Sequence, residues 1–370
     1  MKKNIFGWAL LCNIALLPCH ALAADVQSEN LEFVSYPYVE GEFIWEIQND
    51  STFDSDDPDA ELNDLFAYLE LAVSLVVNHN FQINLAAIME AVQDPGPRDD
   101  RFFDDHGLYI GTLNAQFNLS EDTNILLGKY GPGFGTAWDV TPGIYGSSFA
   151  EDYELSEYIG IGLTHSFNTE RFGNVTLGVN AFHMDTTALS DSTITKRGRT
   201  RLSDGGAGNT EKLNNYSITL DGNELPEMDG FSWHLAYRHL SAGIGDIADE
   251  TGIAAGFIQE TELSDGKTAA FNFEFADLSN AGGSADDIQF VTAGISVVDG
   301  PWHLDLSGTF RSTNMAVGPN VNDELFQVSL GYVDDNDINW NVGYKFSEEG
   351  GLDSHTIGLL ITKSIEFSTR

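Results

Sequence analysis

From Tyr38 to Phe367 the chain alternates apolar and polar residues with period two, the pattern of strands with one greasy and one wet face. In "FSWHLAYRHL", Phe231, Trp233, Leu235 and Tyr237 share one face, opposite Ser232, His234, Ala236 and Arg238. "PWHLDLSGTFR" sets Trp302, Leu304, Leu306 and Phe310 against His303, Asp305, Ser307, Thr309 and Arg311. "DINWNVGYKF" sets Ile338, Trp340, Val342, Tyr344 and Phe346 against Asn339, Asn341, Gly343 and Lys345. Each run is about ten residues long, the length of a tilted strand that crosses a bilayer. Sixteen runs can be marked, at 38–47, 65–77, 79–92, 108–118, 123–130, 157–167, 174–184, 213–220, 231–240, 251–260, 268–277, 287–298, 301–311, 324–333, 337–346 and 355–367. The tenth, "TGIAAGFIQE", is the weakest.

The connections mostly alternate between long and short. Odd-numbered ones include 48–64, 93–107, 131–156 and 185–212; even-numbered ones are mainly tight, such as "NH" near Asn78, "LSED" near Ser120 and "DG" at Asp299-Gly300. An up-and-down barrel with short periplasmic turns and long outer loops has this asymmetry. The rivals, a secreted β-sandwich or β-helix, have no reason to sort their loops by parity. Aromatic residues near strand ends on the apolar face (Tyr38, Phe231, Trp302, Phe310, Phe346, Phe367) suit interfacial girdles. The predicted fold is therefore all-β: a transmembrane antiparallel barrel of about sixteen strands over residues 38–370. A short segment, 24–37, precedes it, which leaves no room for a plug domain.

Composition sharpens this. Lys2 and Lys3, the apolar Ile5 to Pro18 and the small Ala21-Leu22-Ala23 read as a cleaved secretory signal peptide over 1–23. A lipoprotein signal is the alternative, but Pro18 fits badly before Cys19. Cleavage after Ala23 would remove Cys12 and Cys19, and with them thiol catalysis, thiolate metal sites and disulfides. The whole chain has 17 Lys+Arg against 57 Asp+Glu; losing Lys2 and Lys3 takes the net charge from −40 to −42. Nucleic acid is excluded as a partner by charge repulsion. The 24 Phe, 12 Tyr and 6 Trp argue against disorder.

Enzymatic templates find nothing: there is no GxSxG or HExxH, and no catalytic residue, metal site or cofactor is expected. His234 and His239, five apart on a strand, fall on opposite faces. If the apolar face meets lipid, Glu40, Glu42, Glu46, Glu70 and Glu90 line the lumen on one side, with Glu366 beside them. Arg238, Arg311 and Lys345 face them. Such a bore, acidic in excess, attracts cations. The third outer loop, 131–156, is long enough to fold into the bore, placing Asp139, Glu151, Asp152 and Glu154 on the passage. Its start, "GPGFG", reads as a hinge: Gly131, Pro132, Gly133 and Gly135 would let the chain turn back in conformations closed to residues with a Cβ. Acidic loops such as "DSTFDSDDPDAE" (Asp50 to Glu61) read as cation-screened surface among lipopolysaccharide rather than as a calcium site. "TKRGRTR" places Lys196, Arg197, Arg199 and Arg201 on the longest outer loop. They are either a contact to lipopolysaccharide phosphates or a docking patch for an anionic ligand such as an iron chelate.

The stretch "LLGKYGPGFGTAWDVTPGIYG" resembles the fingerprint of a Gram-negative porin group that includes the phosphate-selective porins, and looks closest to the LbtU-type siderophore porins. The carriers are Gly128-Lys129, then Pro132, Phe134 and Gly135, then Asp139 and Pro142. The match is strong over residues 126–161 and architectural elsewhere. Gly133 interrupts the Pro-Phe-Gly order, and the lysine wealth expected of phosphate selection is missing. The resemblance implies an outer-membrane channel, uptake of a ferric siderophore without a plug, and a homotrimer. Without it, the residues alone leave open a general cation-preferring porin or, further off, an adhesin or structural barrel.

Overall fold

The computed structural model describes residues 35–370. The expected signal peptide and most of the 24–37 segment lie outside the described residues. Sixteen long strands follow one another: β1 (Tyr38–Ser55), β2 (Asn63–Asn78), β3 (Phe81–Ala91), β4 (His106–Ser120), β5 (Thr123–Tyr130), β6 (Tyr158–Thr169), β7 (Gly173–Met184), β8 (Asn215–Asn223), β9 (Phe231–Leu240), β10 (Glu250–Glu262), β11 (Thr268–Ser279), β12 (Asp287–Asp299), β13 (Trp302–Asn314), β14 (Val321–Val333), β15 (Asn339–Glu349) and β16 (Leu352–Ser368). Each pairs antiparallel with its sequence neighbours, and β1 closes on β16 from Glu40↔Ser368 to Ser55↔Ser354. The barrel has no free edge, and no separate domain sits in it among the described residues.

Alternation sorts side chains as the sequence pattern requires. Leu235, Ile253, Leu306, Phe310, Val342 and Ile357 stand exposed on the outer face, while their chain neighbours point inward and are buried. A belt of this kind is too large for a water-facing monomer and suits lipid. The interior is less watery than expected. Phe66, Tyr68, Phe182, Phe290, Leu325 and Leu360 point inward and are buried. They avoid water because a loop brings apolar partners into the barrel.

Strand ends correct the sequence reading in two places. Asp50 to Ser55, expected on the first outer loop, continue β1 and pair with β16, so the acidic run is partly wall. Next, β3 and β5 stop well short of β2 and β4, which continue upward. The loop 92–105 supplies Arg101–Phe102, paired parallel to Asp64 and Leu65. The loop 185–214 supplies Thr193–Ile194, paired with Gly107 and Leu108. The loop asymmetry is confined to the first half of the chain. The late connections 280–286, 315–320 and 350–351 at the loop end are as short as the turns at the end holding the C-terminus.

A closed sheet resists detergent unfolding until heated. Purified, unboiled protein should migrate faster on SDS gels than boiled protein; identical migration would contradict the closed barrel.

Candidate functional site

The chain leaves the wall at Tyr130, crosses the bore and returns at Tyr158. The two limbs pass close together: a Cβ on Gly131 would stand 2.8 Å from the Leu155 carbonyl oxygen. Of the four residues expected as a hinge, only Gly135 has a left-handed backbone, at φ 70°. It also lies against the Tyr153 ring and Glu274, where a Cβ would be 2.6 Å from the ring. Gly131 is needed for the close approach of the limbs, Gly133 sits over Thr219, and Pro132 is buried. Close packing, more than left-handed turning, accounts for the glycines.

A single carboxylate holds both limbs. Glu274, on the inner face of β11, accepts from the Thr136 amide at 2.7 Å, the Thr136 hydroxyl at 2.9 Å and the Ala137 amide at 3.0 Å. The Tyr153 hydroxyl donates to it from the returning limb at 2.6 Å. The two amides lead into α1 (Ala137–Val140). Arg238 on β9 donates to the Tyr153 carbonyl at 2.6 Å, pairs with Glu250 and covers the Phe134 ring. Beyond α1 the loop continues along β11 and on to β14, β15 and β1. Asn272 of β11 donates to the Thr141 hydroxyl at 2.9 Å, and Gln327 of β14 to the Pro142 carbonyl at 3.0 Å. The Tyr145 hydroxyl donates to Asp50 of β1 at 2.6 Å, with Lys345 of β15 over its ring. Arg311 of β13 lies on Phe149 and pairs with Asp152 and Asp323.

Apolar packing completes the docking. Phe134, Ala137, Ala150, Tyr153 and Leu155 pack on Phe182, Ala254, Ala276, Leu278 and Phe290 of the wall. Ile144, Tyr145 and Phe149 pack on Leu325 and Leu360. Gly143, at φ 98°, lies so near Gln327 that a Cβ would stand 1.8 Å from its amide nitrogen.

Glu46, Glu70 and Glu90 are on the inner face of β1 to β3; Tyr68 donates to Glu70 at 2.6 Å and Tyr109 to Glu90 at 2.5 Å. Glu40 and Glu42 share that face near the terminus end, with Glu366 in register opposite Glu42. Arg238, Arg311 and Lys345 also point inward, but they hold the loop rather than stand free across the lumen. Of the loop carboxylates, Asp152 is matched by Arg311, and Glu151 accepts from Ser147 at 2.6 Å. Burial raises Glu151 well above the ordinary carboxylate range, and raises Asp152 less because Arg311 opposes it. Burial lifts Asp139 to about 6. It lifts Glu154 to about 7, helped by the nearby charges of Asp139, Glu90 and Glu157.

The basic run does not form one patch. Arg197 pairs with Glu157 at 2.6 Å and lies over Tyr109, 3.7 Å from the ring centre. Lys196 pairs with Asp191 at 3.1 Å, and Arg199 donates to the Thr186 carbonyl at 2.7 Å. Arg199 and Arg201 remain exposed. Lys129, in the glycine-rich stretch, is buried between Glu157 at 2.7 Å and Asp185 at 2.8 Å. Sequence reasoning missed Glu274, Asp50 and Gln327. Glu274 had a visible signal, as the lone carboxylate among the phenylalanines of "FNFEF".

No protein-family model matches the sequence, and no curated protein is similar to it. Solved structures share the fold. Pseudomonas putida OprB superposes with TM-score 0.60 at 11% identity, over 89% of this chain and 94% of that one. The outer membrane channel DcaP of Acinetobacter baumannii gives 0.55 at 12% identity, over 90% and 99%. Pseudomonas aeruginosa OccK1 gives 0.55 at 9%, over 89% and 99%.

Two outcomes follow. Each bond to the Glu274 carboxylate contributes about 1.5–3 kcal/mol, so Glu274→Ala should release the loop and give noisy, larger conductance steps in bilayers. Glu274→Gln, which keeps an acceptor, should behave closer to the parent; quiet traces from the alanine variant would refute the latch. Asp139 and Glu154 are held neutral below their raised values and ionise as pH rises. Cation preference should therefore be higher at pH 8 than at pH 5, with the change centred between about 6 and 7. Asp139→Asn with Glu154→Gln should flatten the profile.

Proposed function

We propose that this chain is an outer-membrane channel that admits small solutes passively, exported through its N-terminal signal and seated among outer-membrane lipid and lipopolysaccharide. What carries the reading is the loop 131–156, anchored across the bore of a closed barrel with an apolar outer face. A constriction made this way selects by size and charge, with no covalent step and no cofactor. Its charge balance favours cations: the inward bases are neutralised by loop and wall carboxylates, while Asp139 and Glu154 have no ion-pair partner among the described residues. The shared fold with DcaP, described as an outer membrane channel, supports the same reading.

A ferric siderophore is the finer cargo, supported by the resemblance over residues 126–161. The loop's docking on β1, β11, β13, β14 and β15 works against it, because a bulky chelate would need that docking undone. A homotrimer is supported by the resemblance alone.

Conductance in planar bilayers separates a channel from an adhesin or structural barrel. A salt gradient should give a cation-selective reversal potential. Unit charges about 4 Å apart interact by about 1 kcal/mol in water, so Asp139→Asn with Glu154→Gln should lower the cation-to-anion permeability ratio by about fivefold at pH 8. An unchanged ratio would remove these carboxylates from the passage. For the siderophore, a deletion strain should lose growth on chelated iron and recover it with the intact gene; full growth without the gene removes that cargo.

A further inference from the structure

Between the loop and the terminus end, the bore changes character. On five successive strands, β3 to β7, the inner face below Glu90 and Tyr109 carries amides, hydroxyls and small or apolar groups. Among the described residues it carries no acidic or basic side chain. In a chain with 57 Asp+Glu this neutrality is unlike the rest of the bore, where β1 presents Glu40 and Glu42, and β8 and β9 present Asp221 and His234. The outward neighbours Ile83, Phe117, Leu163 and Val179 are exposed and apolar, which fixes the amides on the lumen side.

The amides are oriented but not used up. Gln82 donates to Asn84 at 3.0 Å, and Asn84 to Asn114 at 2.9 Å. Tyr130 donates to Asn180 at 3.2 Å, and Asn180 to Ser217 at 3.1 Å. A primary amide has two donor hydrogens and an acceptor oxygen with two lone pairs. The Gln82 oxygen and the second hydrogens of Asn84 and Asn180 remain for a solute. Asn124 has no side-chain partner among the described residues. Gln82, Asn84, Asn124 and Asn180 are all half-buried, not sealed.

We propose that this wall is a binding track for uncharged, hydroxyl-rich solutes of the sugar or polyol class. A hydroxyl group can exchange water for a fixed amide donor and acceptor at little net cost. An ion passing the same wall sheds hydration and finds no counter-charge. The loop above filters by size and by the charge of its carboxylates, and a neutral solute crosses that filter without electrostatic penalty. This assignment of solute class rests on the channel reading, and on the amide wall independently of the 126–161 resemblance.

The experiment is current block in planar bilayers, with sucrose as probe and polyethylene glycol of equal hydrodynamic size as steric control. Sucrose should reduce the ion current saturably and reversibly, while the glycol reduces it only in proportion to concentration. Asn84→Ala with Asn180→Ala should raise the half-blocking sucrose concentration about fivefold or more, the effect of losing roughly 1 kcal/mol of hydrogen bonding. Ion conductance should stay within about twofold of the parent. Asn124→Asp removes no bond; it should weaken sucrose block and raise cation preference, and heat-modifiable migration confirms that each variant is folded. Block by sucrose that matches the glycol, or that survives both sets of substitutions, overturns the track. Absence of any ion current overturns the channel reading itself, which separates the two failures.

Discussion

A backbone amide or carbonyl that faces hydrocarbon has no solvent to bond with, so a spanning sheet has to satisfy itself around the whole circumference, and in this chain the pairing carries on above the apolar belt to the rim. This requirement organises the molecule. It closes β1 on β16, and it also explains segments that look like surface decoration. Because β3 and β5 end early, the upper parts of β2 and β4 lose a neighbour. Arg101–Phe102 and Thr193–Ile194 fill those positions with short strands of their own. Arg101 is fixed by both oxygens of Asp64, and the Phe103 amide donates to the Leu65 carbonyl at 2.7 Å. His106 accepts from the Ala67 amide at 3.0 Å, a backbone group that no strand reaches. Two of the long loops are thus completions of the wall.

Inside the barrel the opposite problem arises. Sixteen strands enclose more space than their own side chains fill, and the loop 131–156 enters it with a small apolar core of its own. The polar contacts decide how it sits. Glu274 and Arg238 bind the two limbs near their exits, and Gln327, Asp50 and Arg311 receive the far part. Among the described residues, Arg238, Arg311 and Lys345 are all held by this docking or by a wall carboxylate. That leaves the uncompensated charge negative, which is how a barrel with charged residues of both signs can still present an acidic passage.

Much of this was legible in the sequence because a half-greasy strand has a strict period of two, and that period survives wherever one face meets lipid. The sixteen runs agree with the strands to within a few residues at most boundaries. The pattern failed where no lipid contact enforced it. Asp50 to Ser55 rise above the apolar belt, so their strand pairing left no hydrophobic trace. The short completing strands are too brief to carry a period. The inward Phe182, Phe290 and Leu325 depart from a wet lumen, because their partners come from a loop some distance away in sequence. For the same reason the basic run 196–201 looked like one patch. Its members are tied to separate partners that only the fold brings near.

Wall closure and loop docking are coupled where the chain departs from β5. Leaving the wall at Tyr130 creates the crossing loop and, in the same step, the shortfall in the wall beside β4. The loop 185–214 covers that shortfall, so the two loops answer one event. Their junction is Glu157, the residue on which the crossing loop re-enters the wall, held at φ 58°. Lys129 at the foot of the departing limb bonds Glu157 and Asp185, and Arg197 of the covering loop bonds Glu157 from the other side. One carboxylate therefore ties the start of the crossing loop, its end and the segment that seals the wall. The position of the constriction and the integrity of the barrel rim are set by the same ion cluster, and neither loop can be displaced without disturbing the other.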